Sequence, residues 1–265
     1  MSQRLTIFAR GNTDLRDALH GQVVGGRAAW SGINEILRQE KRDCTIRVRH
    51  ETHTCFAALK AAGGAIPEGL ADVSGLLGPF SLQSQFSNAM FAASGAVVAL
   101  SIQGDLTVPM LRHRRDGYPL HAYNWRDWTA ESREWLRENF LPLPAPTAEQ
   151  SMADLAEVIA RVRASGDAPI LVFNAVSVTL GETIHCYQGV GEVFSQRVRR
   201  FNAALVDASA RLGFSIVDVD RIVAEHGARH LIVDPFHLNA LGCRKVAEDV
   251  VRILEDHGLL PERLA

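Results

Sequence analysis

Five short apolar runs rich in β-branched residues alternate along the chain with longer amphipathic stretches, and this alternation restricts the fold more than any other feature. The runs lie at 5–8, 45–48, 96–102, 169–173 and 214–219. Stretches as continuously apolar as Ala96-Val97-Val98-Ala99-Leu100-Ser101-Ile102 suit strands covered on both faces. Helical spacing is read at 30–39, 152–164, 193–212 and 241–257, with Gly213 and Gly258 just past two helix ends. Strand–helix alternation implies right-handed crossovers and a three-layer α/β/α sandwich. Five strands predict a flavodoxin-like parallel sheet, whose ligands bind beyond the carboxyl ends of the strands. Residues 104–150 carry five prolines and three tryptophans, and a segment so long between the third strand and the next helix is expected to be a lid or substrate-side insertion, at about 107–147, within a single domain, 1–265.

Composition narrows the function classes. Hydrophobic residues make up 47% and charged ones 22%, with a net charge of −2, so no overall field favours nucleic acid or an anionic membrane. No window approaches the ~20 apolar residues that cross a bilayer, and the start does not read as a signal peptide. Cys44, Cys55, Cys186 and Cys243 are scattered without a CxxC pair, as in a reducing compartment. The expectation is a soluble, cytoplasmic protein. Val24-Gly25-Gly26 is not a dinucleotide fingerprint, so no cofactor is expected.

The clearest chemical signal is Asp234-Pro235-Phe236-His237-Leu238-Asn239, followed by Gly242 and an amphipathic helix. An Asp three residues before a His, in a loop after the last strand, can orient one imidazole nitrogen and leave the other facing a cleft as general base. The stretch 234–242 resembles the last motif block of SGNH/GDSL hydrolases, an Asp-x-x-His followed by an apolar residue and a glycine. That resemblance implies a cofactor-free esterase or acyl hydrolase acting on a small ester or acetylated substrate. It also implies a serine nucleophile after the first strand and an oxyanion hole built from donors after the first three strands. An acyl transferase or a non-catalytic binding protein on the same scaffold is the alternative.

The other blocks depart from the family pattern. Gly11-Asn12-Thr13-Asp14-Leu15-Arg16-Asp17-Ala18-Leu19 can align in two ways. In one, Gly11-Asn12-Thr13 replaces Gly-Asp-Ser and Thr13 is the nucleophile. In the other, Asp17-Ala18-Leu19 replaces Asp-Ser-Leu, the nucleophile position is Ala18, and covalent catalysis there is impossible without a serine. The second alignment keeps more letters and is preferred here. After the second strand, His53 stands near the family's glycine and is expected to offer a backbone N–H. After the third, Ser101-Ile102-Gln103-Gly104-Asp105-Leu106 stands against Gly-x-Asn-Asp-Leu, with Asp105 and Leu106 in register, Gly104 at the Asn position and Gln103 able to supply the missing amide. Asn12, Asp17, His53, Gln103, Gly104 and Asp105 are therefore the expected oxyanion and binding residues.

Weaker features remain. The basic run Arg112-His113-Arg114-Arg115 in the lid reads as a solvated face or an anion-recognition element. His185-Cys186 follows the fourth strand on the ligand side, but adjacent side chains diverge. His50, His53, Asp105, Asp234 and His237 all fall near strand ends, yet none has zinc-protease spacing, and no metal is expected.

Overall fold

The computed structural model describes residues 3–177 and 191–263. Five parallel strands form the central sheet: β1 Gln3–Gly11, β2 Cys44–Thr52, β3 Val97–Ser101, β4 Ile170–Phe173 and β5 Ser215–Val217. Their order is β2-β1-β3-β4-β5, so the chain reverses direction of travel at the β1/β3 boundary. In an open α/β sheet the crevice at that switch point is where ligands bind.

Side chains alternate between the two faces of the sheet, so the inner strands β3 and β4, covered on both, are buried throughout, while the edge strand β2 alternates buried and exposed residues over its first half. On one face Ile7, Ala9, Val97, Ala99, Leu171 and Phe173 join a single core. On the other, Phe8, Val98, Leu100, Ile170 and Val172 join a second. The first core is closed by helices α1 (Thr13–His20), α2 (Asn34–Gln39), α7 (Val219–His226) and α8 (Ala240–Asp256). The second is closed by α3 (Phe56–Ala61), α5 (Ala148–Arg163) and α6 (Phe194–Leu212). A short helix, α4 (Gln103–Thr107), starts directly after β3. The three-layer sandwich and the strand order are those expected from the sequence. Among the described residues no helix is long and apolar enough to cross a membrane.

The 107–147 segment differs from its irregular appearance in the sequence. It contains a three-stranded antiparallel sheet of Leu111–His113, Pro119–Leu120 and Phe140–Pro142, and a helix over Ala130–Asn139. Strands of two or three residues are too short for an alternation to register. Leu120, Trp128, Leu136 and Phe140 pack with Leu70, Val73, Leu77, Leu82 and Phe86, so the chain before β3 completes this satellite core.

Candidate active site

The carboxyl ends of β1 and β3 and the hairpin after β5 converge on one cleft. At the end of β1, Asn12 is the N-cap of α1 but makes no capping bond with its side chain, and its Oδ1 is buried without a partner. Thr13 opens the helix. Asp14 is half-buried and accepts hydrogen bonds from the Asn12 N–H at 3.1 Å and from the Ser101 hydroxyl. Burial pushes the Asp14 carboxyl up from its ordinary value, and the hydrogen bonds from Ser101 and backbone only partly offset it.

The motif after β5 folds as a tight antiparallel hairpin, Ile232–Asp234 against His237–Leu238. Asp234 Oδ1 accepts the backbone N–H groups of Phe236 (2.8 Å) and His237 (3.0 Å), closing an Asx turn. The same carboxylate holds His237 Nδ1 at 2.8 Å through Oδ2. Partial burial raises the Asp234 carboxyl, but those bonds and the adjacent imidazole outweigh it and hold the group below the ordinary carboxylate value. Both side chains are 45% exposed, so the imidazole can exchange protons with the cleft. Asn239 caps α8 through the Gly242 N–H at 3.0 Å. A Cβ at Gly242 would sit 2.5 Å from the Leu231 carbonyl, which is why the motif requires glycine there.

Thr13, His50, Gln103 and His237 line a cleft of about 1140 Å³. Its opposite wall comes from Phe80 and from His121, Tyr123 and Trp125 of the 107–147 segment. Phe80 packs edge-on against His121 at 4.5 Å, and Asn124, between Tyr123 and Trp125, holds a left-handed conformation at φ 46°. A small cavity of about 30 Å³ lies behind His237, lined by Asp14, Gln103, Phe194 and Asp234.

Several expected site residues fall elsewhere. Ala18 is fully buried in the core formed with α8, and its carbonyl accepts the Trp30 indole N–H at 3.0 Å. It packs in the core and does not line the cleft, whereas Thr13 and Arg16 of the same helix do, so the preferred alignment is corrected and Thr13 is the hydroxyl of this helix that shares the cleft with His237. Asp17 does not line the cleft and pairs with Arg16 at 2.7 Å. The His53 N–H donates to the Gly11 carbonyl at 3.3 Å and is not open to an oxyanion. Its ring is buried with neither nitrogen hydrogen-bonded, and burial pulls its pKa down to about 3. Gly104 is a packing glycine: a Cβ there would meet the Thr54 carbonyl at 2.3 Å.

Asp105 is buried beneath α3, where Oδ2 accepts the Phe56 N–H at 3.0 Å, and burial pushes its carboxyl up to about 7. Gln103 does reach the cleft, but its Nε2 donates to the Phe236 carbonyl at 3.0 Å. The basic run spans the end of the strand Leu111–His113 and the turn after it, outside the cleft lining, with Arg115 paired to Asp116 at 2.9 Å. His185 and Cys186 lie outside the described residues.

Four contributors were not singled out from sequence as site residues: Asp14, Ser101, Phe236 and the aromatic wall. Asp14 sits one position after Thr13, so the alternative alignment contained its signal. Nothing in the sequence pairs Ser101 with it across 87 residues. His50 Nε2 donates to the Gly11 carbonyl (2.9 Å) and supports the β1–α1 turn. Among the described residues no group of three or more His, Cys, Asp or Glu side chains forms a metal-binding cluster.

No protein-family model matches the sequence, and neither does any curated protein. Solved structures resemble the fold. An acetylxylan esterase from Geobacillus stearothermophilus superposes with a TM-score of 0.54 at 11% identity, covering 95% of each chain. An aryl esterase from M. smegmatis gives 0.51 at 10% identity, covering 95% of this chain and 99% of its own. A member of the lipolytic G-D-S-L family from Veillonella parvula gives 0.50 at 12% identity, with 95% and 98% covered. The chain has the SGNH/GDSL hydrolase fold.

Proposed function

We propose that this SGNH/GDSL-fold chain is an ester hydrolase that works through Thr13, His237 and Asp234. The observation that carries the reading is the 2.8 Å contact between Asp234 and His237, in a half-exposed hairpin that shares one cleft with Thr13. Asp234 fixes the imidazole through Nδ1, which leaves Nε2 to take the proton of a nucleophile. In this mechanism Thr13 Oγ1 bonds to the acyl carbon as its proton passes to His237 Nε2. The bond to the leaving alkoxide then breaks, and His237 returns the proton to it. A water repeats the sequence on the acyl-threonine, with the same histidine as base and then acid, and frees the carboxylic acid.

The developing oxyanion needs donors aimed at it. The Thr13 N–H at the start of α1 and the Asn12 Nδ2 amide, whose side chain makes no capping bond, are the donors next to Thr13 that meet this need. A cleft of about 1140 Å³ is far larger than an acetyl group requires. The aromatic wall of Phe80, Tyr123 and Trp125 accordingly takes the leaving-group side of a small acyl ester.

One observation favours a second reading, a binding protein without turnover. The Gln103 amide and the His53 N–H, both expected as oxyanion donors, are already bonded to Phe236 and Gly11. Hydrolysis of p-nitrophenyl acetate by the chain and by its Thr13→Ala and His237→Ala variants separates the two. The hydrolase reading expects a loss on the order of 10³-fold in kcat/KM for either variant. Absence of turnover in the unsubstituted chain across a series of acyl lengths leaves the binding reading.

A further inference from the structure

We propose that Gln103 is a positioning residue that sets the His237 hairpin on the end of β3, rather than a donor to the oxyanion. The proposal rests on the hydrolase reading above only for its kinetic consequence. A continuous hydrogen-bonded path joins the two halves of the site. The Asn12 N–H donates to Asp14, the Ser101 hydroxyl donates to the same carboxylate, and the Gln103 N–H donates to Ser101 Oγ at 3.0 Å. From the other end of the same residue, Gln103 Nε2 donates to the Phe236 carbonyl at 3.0 Å, and the Phe236 N–H donates to Asp234.

Three features make this path mechanical rather than incidental. Ser101 and Gln103 are buried, where hydrogen bonds are strengthened by the low local dielectric and costly to leave unmade. The His237 hairpin has only two paired rungs, and an isolated two-stranded ribbon is marginal in water. It therefore needs outside anchors, and Gln103 provides the anchor to the switch point where α1 begins. The Phe236 ring against Phe194 at 5.1 Å and the Gln22 amide on the Leu238 carbonyl at 3.0 Å hold its flanks. Gln103 is long enough to bridge from β3 to the hairpin, whereas an asparagine there is one methylene too short to reach the same carbonyl.

Two variants and two readouts test this. Gln103→Leu removes the donor at similar volume, and Gln103→Glu sets a carboxylate oxygen against the Phe236 carbonyl. Amide hydrogen exchange is followed over 232–239 and over β3 in each, beside kcat and KM for p-nitrophenyl acetate. The expected result is exchange at least tenfold faster over 232–239 with β3 unchanged. Where ester turnover is present, kcat falls with KM nearly constant. Unchanged exchange together with a kcat loss of about 100-fold makes Gln103 an oxyanion donor and overturns the proposal. Unchanged exchange with unchanged kcat overturns it as well. If the unsubstituted chain turns over no ester, the hydrolase reading fails and the exchange result alone decides the role of Gln103.

Discussion

At the carboxyl end of the sheet the molecule holds two histidine–aspartate pairs in opposite surroundings. In the hairpin after β5, Asp234 and His237 are 2.8 Å apart and half exposed, and every bond to the carboxylate favours its charged form. Beneath α3, His53 Nε2 and Asp105 Oδ2 are 3.9 Å apart with both side chains buried. There burial lowers the imidazole pKa to about 3 and raises the carboxyl to about 7, so each favours its neutral form. The same two residue types thus give a solvent-accessible hydrogen-bonded pair in one place and a packed polar contact in the other. What separates them is access to solvent and the direction of the hydrogen bonds, neither of which a residue list contains.

The largest expected difference is in turnover. His237→Ala should lower kcat/KM by on the order of 10³-fold with little change in unfolding temperature, whereas His53→Phe should leave kcat/KM within a few fold. Equal losses in the two variants would erase the distinction between the pairs.

Stability against pH sharpens the comparison, because the buried pair contributes two opposed dependences. Asp105, raised from 3.8 to about 7 in the fold, contributes stability that is present below pH 3.8 and lost as pH rises to about 7. His53, lowered from 6.5 to about 3, contributes stability that is present above pH 6.5 and lost as pH falls toward 3. Between about pH 4 and 6.5 the two dependences oppose each other. Relative to the unsubstituted chain, Asp105→Asn removes the falling dependence, and urea unfolding should show the slope of stability against pH raised by about 1.4 kcal/mol per unit in that window. His53→Phe should lower the slope by a similar amount. Parallel slopes in the two variants would contradict the opposed shifts of the two groups.

A smaller effect tests the corrected alignment. Ala18→Ser places a hydroxyl in the core between α1 and α8 and should cost about 1–3 kcal/mol of stability without adding esterase activity. A gain in turnover would return position 18 to the chemistry.

The layered fold was legible because the inner strands β3 and β4 are buried on both faces, and a continuous apolar run such as 96–102 has no other stable place. The Asp234–His237 pair was legible because a three-residue spacing in a tight turn makes the contact local. Ala18 misled because letter similarity in Asp17-Ala18-Leu19 carries no information about helix phase. One turn into α1 the side chain points into the core, while Thr13 at the helix start faces the cleft. Gln103 lines the cleft, but its bond to the Phe236 carbonyl joins residues 133 positions apart, a pairing no local pattern reports. The short strands of the 107–147 segment are defined by packing against residues 70–86, which no local pattern reports.

The most direct measurement is covalent labelling with a fluorophosphonate ester, followed by peptide mass mapping. An adduct confined to the peptide containing Thr13, and lost in His237→Ala, is the result expected of a threonine activated by the Asp234–His237 pair. An adduct on any other residue, or labelling of Thr13 that persists without His237, would contradict it.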